Sequence, residues 1–321
     1  MTRPSNHSGN YMRRVASCDI GSNTVLMLVV DEVSPGRWAR VEDHMAITRV
    51  SEGLAASGVL ADVAVERTRA ALAEFAAHAK RLGVQTMVAT GTAPFRRGKN
   101  GREVAASLGQ TLGCTIDIVS GDTEADLVLL ATVRSFPDVE AMTIVDIGGA
   151  STEIIVVRPG APTRRTSVNV GTVSLGERFR TEQVVDAAQQ LALRNAIDAA
   201  FDDGPARELL RDAPPIAVAV SGTATTLAAM DLKMVDWDDE KVHGFTMQAS
   251  RVAELAAEVC AVDVQGRIGI PGLPEKRADV IPAGALLLQR IAERVGAESI
   301  IVSDRGVRWG RLFDVFGGAG A

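Results

Sequence analysis

The chain has 321 residues, too many for one ordinary core and enough for two domains. Hydrophobic residues make up 46% and aromatics only 4%, so the core has to come from Ala, Val, Leu and Ile, as where helices pack on buried parallel strands. A net charge of −6 argues against nonspecific nucleic-acid binding, no apolar run is long enough to span a membrane, and three well-separated cysteines (Cys18, Cys114, Cys260) argue against a disulfide or metal framework.

Residues 1–11 are polar and carry no apolar signal core, so they read as a disordered leader on a protein expected in the cytoplasm. Residues 14–31 then read as strand, tight turn and strand, with Gly21-Ser22-Asn23 as the turn and residues 37–47 as a third strand. A helix is predicted over 62–82, capped by Asp62 and ended by Gly83. Strand 84–90, helix 102–112, strand 115–119 and helix 122–134 follow. At Met142 the pattern restarts: strand 142–147, turn Gly148-Gly149-Ala150-Ser151, strand 152–158 and strand 166–170. Helices at 172–179 and 183–201 precede strand 216–220, which runs into Ser221-Gly222-Thr223 and another helix. Helices 248–261 and 278–295, strand 299–302 and helix 306–316 close the chain.

The restart is the most informative feature. Asp19-Ile20-Gly21-Ser22-Asn23-Thr24 and Asp146-Ile147-Gly148-Gly149-Ala150-Ser151-Thr152 each run from Asp-Ile-Gly through a small polar turn into an apolar strand. They stand about one domain's length apart, which suggests two related halves. Turns of Gly, Ser and Thr present backbone N–H groups and hydroxyls with nothing bulky in the way, a cradle for phosphate oxygens. Three such turns occur, and Ser221-Gly222-Thr223 also opens a helix, where an anion is favoured. Neither a Walker A loop nor a dinucleotide-type glycine fingerprint is present, so any phosphate chemistry uses another architecture.

These residues resemble the exopolyphosphatase / guanosine pentaphosphate phosphatase (Ppx/GppA) family, of the actin, Hsp70 and sugar-kinase superfamily. The matching motifs are Asp19 to Thr24, Gly91-Thr92 with Arg96, Ser120-Gly121 with Glu124-Ala125, Asp146 to Gly149 with Ser151-Thr152-Glu153, Gly171-Thr172-Val173, Ser221-Gly222-Thr223, and Ser303 to Arg308. The resemblance implies an α/β fold of two ribonuclease-H-like domains with a cleft between them. Domain I is expected over 12–133 plus 305–321, with the first phosphate loop and the catalytic glutamate. Domain II is expected over 134–304, with the second loop. It looks like a short, two-domain member.

By the same resemblance, Glu124 orients or deprotonates the attacking water and Arg96 reaches the substrate phosphate. Phosphate binding falls to Gly21, Ser22, Asn23, Thr24, Gly148, Gly149, Ser151, Thr152, Ser221, Gly222 and Thr223. Asp146 and its counterpart Asp19 would hold Mg²⁺ or Mn²⁺. On residue chemistry alone, Glu124 reads as an exposed first-turn acid and Asp19 as a turn former. The implied activity is release of orthophosphate from inorganic polyphosphate. Guanosine pentaphosphate hydrolysis, a non-catalytic sensor with the same cleft, and an ATP-dependent transferase are the alternatives, and a homodimer is an expectation of the family.

Departures from the family pattern are Ala150 where a third glycine is usual, Thr123 for a second glutamate, Asp126 for an arginine, and Trp309 for a glutamate. A left-handed backbone at Ala150 would be strained. Asp304 and Arg308 read as a structural ion pair. Arg97, Lys99 and Arg102 read as a solvated loop. The histidines suggest nothing catalytic: His78 reads as structural, and His44 and His243 lack metal-ligand partners at useful spacing.

Overall fold

The computed structural model describes residues 13–320, so the expected leader at 1–11 lies outside the described residues. Two compact units are present: one runs to Ser135 and resumes at Val307, and the other is Phe136–Gly306. Among the described residues no helix is long and apolar enough to cross a membrane.

The first unit is built on β1 (Arg14–Ile20), β2 (Thr24–Ser34) and β3 (Arg37–Ile47), followed by α1 (Leu54–Ser57), α2 (Asp62–Arg81), β4 (Thr86–Gly91), α3 (Ala93–Arg97), α4 (Gly101–Leu112), β5 (Ile116–Ile118) and α5 (Gly121–Ser135). Strands β1, β2 and β3 form an antiparallel meander, whereas β4 and β5 join parallel to β1. Because side chains alternate across a strand, β1 sends Ala16, Cys18 and Ile20 to one face. There they pack with Leu72, Phe75, Val104 and Leu108 of α2 and α4. Val15, Ser17 and Asp19 take the other face, where Val15 packs with Ala131 of α5 and with Trp309, Leu312 and Phe313. That alternation, set by the sequence, is what turns Asp19 toward α5.

The second unit contains β6 (Met142–Ile147), β7 (Thr152–Val157), β8 (Arg164–Val168), α6 (Thr172–Phe179), α7 (Ala187–Asp202), α8 (Pro205–Arg211), β9 (Ala217–Val220), α9 (Gly222–Asp231), α10 (Asp239–Val242), β10 (Thr246–Gln248), α11 (Ala249–Cys260), α12 (Val264–Arg267), α13 (Ile281–Val295) and β11 (Ser299–Ser303). The chain then returns to the first unit through α14 (Val307–Phe316) and β12 (Ala319–Gly320). The strand orders are β12-β3-β2-β1-β4-β5 and β10-β11-β9-β6-β7-β8. Read from the meander inward, β3-β2-β1-β4-β5 and β8-β7-β6-β9-β11 match strand for strand, including the parallel pairs. This is the ribonuclease-H-like order expected of the repeat.

Several local expectations need correction. Asp62 does not cap α2: Ala61 is the cap residue and makes no side-chain cap bond, so Asp62 sits in the first turn and acts only through the helix dipole. Strand β4 starts at Thr86, because the left-handed Gly83 and the Val84 N–H donating to Ala79 O (3.0 Å) hold the chain on the end of α2. Helix α7 begins after Asp186, whose carboxylate accepts from Gln189 N–H while Gln189 returns a bond to Asp186 N–H. Strand β8 spans Arg164–Val168, earlier than expected. Helix α8 was not anticipated, although Gly204 followed by Pro205 at its first position is an N-terminal signal.

Candidate active site

Three chain segments of the first unit assemble around the C-terminal end of β1. The four-residue loop 21–24 closes β1 onto β2 at the Ile20–Val25 pair. Its Gly21 N–H donates to Thr24 O (2.9 Å), which holds the turn. The Ser22 carbonyl accepts from Ser51 N–H (3.3 Å) and Ser51 Oγ (3.2 Å), and the Asn23 carbonyl from the N–H groups of Thr48 and Arg49 (both 3.0 Å). In a trans peptide the N–H points opposite to its carbonyl. Anchoring Ser22 O therefore aims Asn23 N–H away from the protein donors. Residues 48–51 are themselves fixed by Arg67, whose Nε donates to Thr48 O (2.5 Å). Arg49 in this segment takes a left-handed backbone (φ 50) and was missed by the sequence reading.

The second segment is the start of α5. Ser120 Oγ caps it by accepting from Thr123 N–H (3.0 Å) and lies 2.9 Å from Thr123 Oγ1, which gives Thr123 a capping role. Glu124 then falls on the inner face of the helix and is 8% exposed. The expectation of an exposed first-turn acid is therefore wrong. Asp126 is exposed on the same helix. The third segment is α3, whose Arg96 Nη1 donates to Glu124 Oε2 (2.7 Å) and to Val119 O (2.9 Å). A guanidinium has five donors, so Nε and Nη2 retain theirs for a ligand.

Asp19 completes the group. Its Oδ1 is buried without a hydrogen-bond partner. Burial foremost, and then the Glu124 charge, push its carboxyl from 3.8 up to about 7, against the pull of Arg308. Burial also raises Glu124, opposed by Arg96. A buried carboxylate oxygen with no donor, beside a second carboxylate, is a donor set that suits a hard divalent cation. Arg308, on α14, donates to Asp43 Oδ2 (2.5 Å), while Asp304 lies 2.9 Å from His243 Nδ1. His243 is also stacked on Phe136, with ring centroids 5.1 Å apart.

The second unit repeats the loop. Residues 148–151 close β6 onto β7 at the Ile147–Thr152 pair, and Gly148 N–H donates to Ser151 O at the same 2.9 Å. Gly148 O accepts from Thr172 N–H (3.0 Å), and Gly149 O from Val173 N–H (2.8 Å) and Ser174 N–H (3.1 Å). The first turn of α6 is thus tied to the loop, which directs the amides of Gly149 and Ala150 the other way. Gly171 permits this approach: a Cβ there would lie 2.6 Å from Gly148 O. Ala150 does not adopt a positive φ, so the anticipated strain is absent. Thr152 is fully buried and its hydroxyl donates to Val170 O (2.7 Å), which anchors the start of β7. Asp146 lies at the end of β6, at the register position that Asp19 holds on β1.

Ser221 has φ 103, a left-handed backbone that costs a serine on the order of 1–3 kcal/mol, and its Oγ is buried without a partner. Gly222 opens α9 against the half-buried Arg277, whose guanidinium would stand 2.2 Å from a Cβ at that position. Burial brings Arg277 down to about 10. Thr223 is buried, with its Oγ1 2.9 Å from where a Cβ on Gly284 would stand. Sequence reasoning missed Arg277, because nothing in its neighbourhood along the chain links it to Gly222.

A two-unit fold of this order carries a glycine loop after each paired aspartate, with a buried Glu–Arg pair beside the first. The chain belongs to the Ppx/GppA phosphatase family, whose model matches residues 29–317. Exopolyphosphatase 2 of Mycobacterium tuberculosis is 30% identical over 320 residues, covering 92% of this chain and 96% of the relative. The Ppx/GppA protein of Aquifex aeolicus has a crystal structure that superposes with a TM-score of 0.75 at 25% identity, covering 94% of this chain and 97% of that one. An exopolyphosphatase from Cytophaga hutchinsonii shares the fold at a TM-score of 0.86 and 22% identity, covering 96% and 100%.

Proposed function

We propose that the protein is an exopolyphosphatase, hydrolysing the terminal phosphoanhydride bond of inorganic polyphosphate to release orthophosphate and a chain one unit shorter. The observation that carries this reading is the buried Glu124 held by Arg96 beside Asp19. A carboxylate that burial makes more basic is suited to accept a proton from water at neutral pH. Held by Arg96, it has one fixed direction in which to present that water to the terminal phosphorus. The water oxygen bonds to phosphorus as the bridging P–O bond breaks, and the electron pair leaves with the shortened chain. The Asn23 amide and the free donors of Arg96 bind the terminal phosphate; within the second unit the amides of Gly149 and Ala150 form a cradle of the same kind.

Asp19 is the residue of the first unit that would hold a divalent cation, with Asp146 its counterpart in the second; Mg²⁺ or Mn²⁺ would neutralise charge on the phosphate oxygens. Asp19 binds such an ion in its ionised form, which its raised pKa disfavours until the cation arrives.

The test is phosphate release from long-chain polyphosphate with Mg²⁺, wild type against Glu124→Gln, with guanosine pentaphosphate run in parallel. Glu124→Gln should lower turnover by roughly 10²–10⁴-fold, the size of a general-base contribution, with polyphosphate still bound. Normal turnover in that variant removes Glu124 from the reaction, and faster release from the nucleotide reassigns the substrate.

A further inference from the structure

Along the chain His44 lacks a metal-ligand partner at useful spacing and His78 reads as structural. Folding supplies the partner. Glu42 and His44 stand two apart on β3, so they share a face of the strand. Their cross-strand neighbours are Val29 and Met27, which belong to the core beneath α2 and α4, so that face is the one α2 covers. His78, near the end of α2, comes down on them. His44 Nε2 lies 2.8 Å and His78 Nε2 2.5 Å from the same oxygen, Glu42 Oε2. The ring centroids are 4.2 Å apart at an angle of 65°. One ligand atom from each residue falls within 4.8 Å of the other two.

We propose that Glu42, His44 and His78 form a binding site for a zinc-class divalent transition metal, clipping the end of α2 to β3. Two imidazoles and one carboxylate are a known three-ligand set for such ions and leave a fourth position for water. Zn–N and Zn–O bonds of about 2.0–2.2 Å in tetrahedral geometry separate the ligand atoms by about 3.3 Å. The present contacts are shorter, so an ion entering between them moves side chains outward by less than ~1 Å and leaves the backbone in place. His44 and His78 border a hollow of about 370 Å³ that is also lined by Glu74, one helical turn before His78, which gives an entry path and a second carboxylate near the ion. Asp43, between the ligands on β3, faces the opposite way and holds Arg308, so this site is distinct from the phosphate site.

Arg81 opposes the ion and sharpens the inference. Its Nη2 donates to His78 Nδ1 (2.8 Å), which places the ring proton on Nε2. Coordination through Nε2 requires that proton on Nδ1 instead, so Arg81 must release the ring before the metal binds. Its positive charge also repels the ion. Removing Arg81 should therefore tighten metal binding, an effect that a packing role for the histidines would not produce.

The experiment titrates Co²⁺, then Zn²⁺ in competition, into the metal-free full chain with millimolar Mg²⁺ present throughout. Excess Mg²⁺ occupies oxygen-rich sites and competes poorly for imidazole. The readouts are the visible absorption of bound Co²⁺ and the melting temperature. One Co²⁺ per chain is expected, displaced by Zn²⁺, with at least tenfold weaker binding in His44→Ala, His78→Ala and Glu42→Gln and tighter binding in Arg81→Gln. Zn²⁺ should raise the melting temperature of wild type and of Arg81→Gln but not of His78→Ala. No stoichiometric binding to wild type, or binding indifferent to both histidines, overturns the proposal. Arg81→Gln keeps all three ligands, so unchanged affinity in that variant overturns coordination through His78 Nε2 even if the histidine variants fold poorly.

Discussion

The loop after Asp19 and the loop after Asp146 have the same length, the same Gly N–H to carbonyl bond and the same position at the end of a central strand. They differ in what anchors them and in the chemistry beside them. The first is tied to residues 48–51, a segment with little regular structure, and the second to the first turn of α6. Beside the first stand a buried glutamate, its arginine and a carboxylate oxygen with no donor. At the strand next to Asp146, the position occupied in the first unit by Gly91 is held by Ser221 in a left-handed conformation. One architecture therefore carries two kinds of stored cost: unpaired charge in the first unit and backbone strain in the second. Such costs persist where surrounding structure over-determines them, and they cluster at functional sites.

The sharpest way to break the comparison is to remove the unpaired charge. Asp19→Asn should lower polyphosphate hydrolysis by about 10²-fold or more if Asp19 holds the cation, since a neutral amide is a poor ligand for a hard divalent ion. The same change should stabilise the ligand-free protein near neutral pH. The folded-state pKa of Asp19 is raised from 3.8 to about 7, so its contribution to stability is full below about pH 4 and is lost as pH rises through 7. Above that pH the wild type buries a charge that the variant lacks. Thermal melts from pH 4.5 to 8.5 without divalent ions should show the two proteins drawing together at the acid end and separating by on the order of 3 kcal/mol more at the alkaline end. Parallel curves across that range remove the unpaired charge from the account.

How far these features could be read from the sequence follows from their range along the chain. The two Asp-Ile-Gly turns and the alternation around them announced the doubled sheet, because strand periodicity and turn chemistry are local. Glu124 and Arg96 carried family motifs, but their 2.7 Å bond was not legible, since α3 and α5 are joined only through the packed sheet. Arg277 against Gly222 and the convergence of Glu42 with His44 and His78 were hidden for the same reason. Arg267 gives the plainest case. It is fully buried and donates to the carbonyls of Thr181, Gln183, Val259, Val262 and Ala278. Nothing local distinguishes it from a surface arginine. Tertiary hydrogen bonding decides such residues, and no window of sequence contains it.

The helices that back the two sites should also respond unequally to crowding. On α14, a Cβ added to Gly310 would stand 1.9 Å from the backbone oxygen of Leu127 on α5, the helix that carries Glu124. Backbone cannot rotate away, so Gly310→Ala should cost about 3 kcal/mol by overpacking and reduce activity as α5 shifts. On α13, a Cβ added to Gly284 would meet the side chain of Thr223 at 2.8 Å. A side chain can change rotamer, so Gly284→Ala should cost about 1–2 kcal/mol. Denaturant unfolding of the two variants tests the order, and an equal or reversed order refutes the distinction between backbone and side-chain obstruction. Ser221→Gly should act in the opposite sense, gaining up to ~1 kcal/mol as the left-handed strain is relieved, with reduced phosphate release if the buried hydroxyl contacts substrate.

The smallest effect belongs to Ala150, and its smallness is informative. The sequence suggested a methyl group forced into a glycine conformation, which predicts that Ala150→Gly relieves strain. The structure gives Ala150 no positive φ and buries its methyl, so nothing is relieved. Glycine would instead widen the conformational freedom of the unfolded chain, and Ala150→Gly should destabilise the protein by about 0.4–1 kcal/mol. Its backbone N–H is retained, so turnover should stay within about twofold of wild type if the loop binds phosphate through amides, a ratio of under ~0.5 kcal/mol. Asn23→Ala, at the equivalent place in the first loop, likewise keeps the amide but removes a side chain whose Oδ1 is buried without a partner. Measured together, the two variants separate the loops. Loss of turnover in Asn23→Ala alone shows that the first loop binds phosphate or metal through its side chain and the second through its backbone. Loss in both places the side chains of both loops in the reaction, against the geometry of the second.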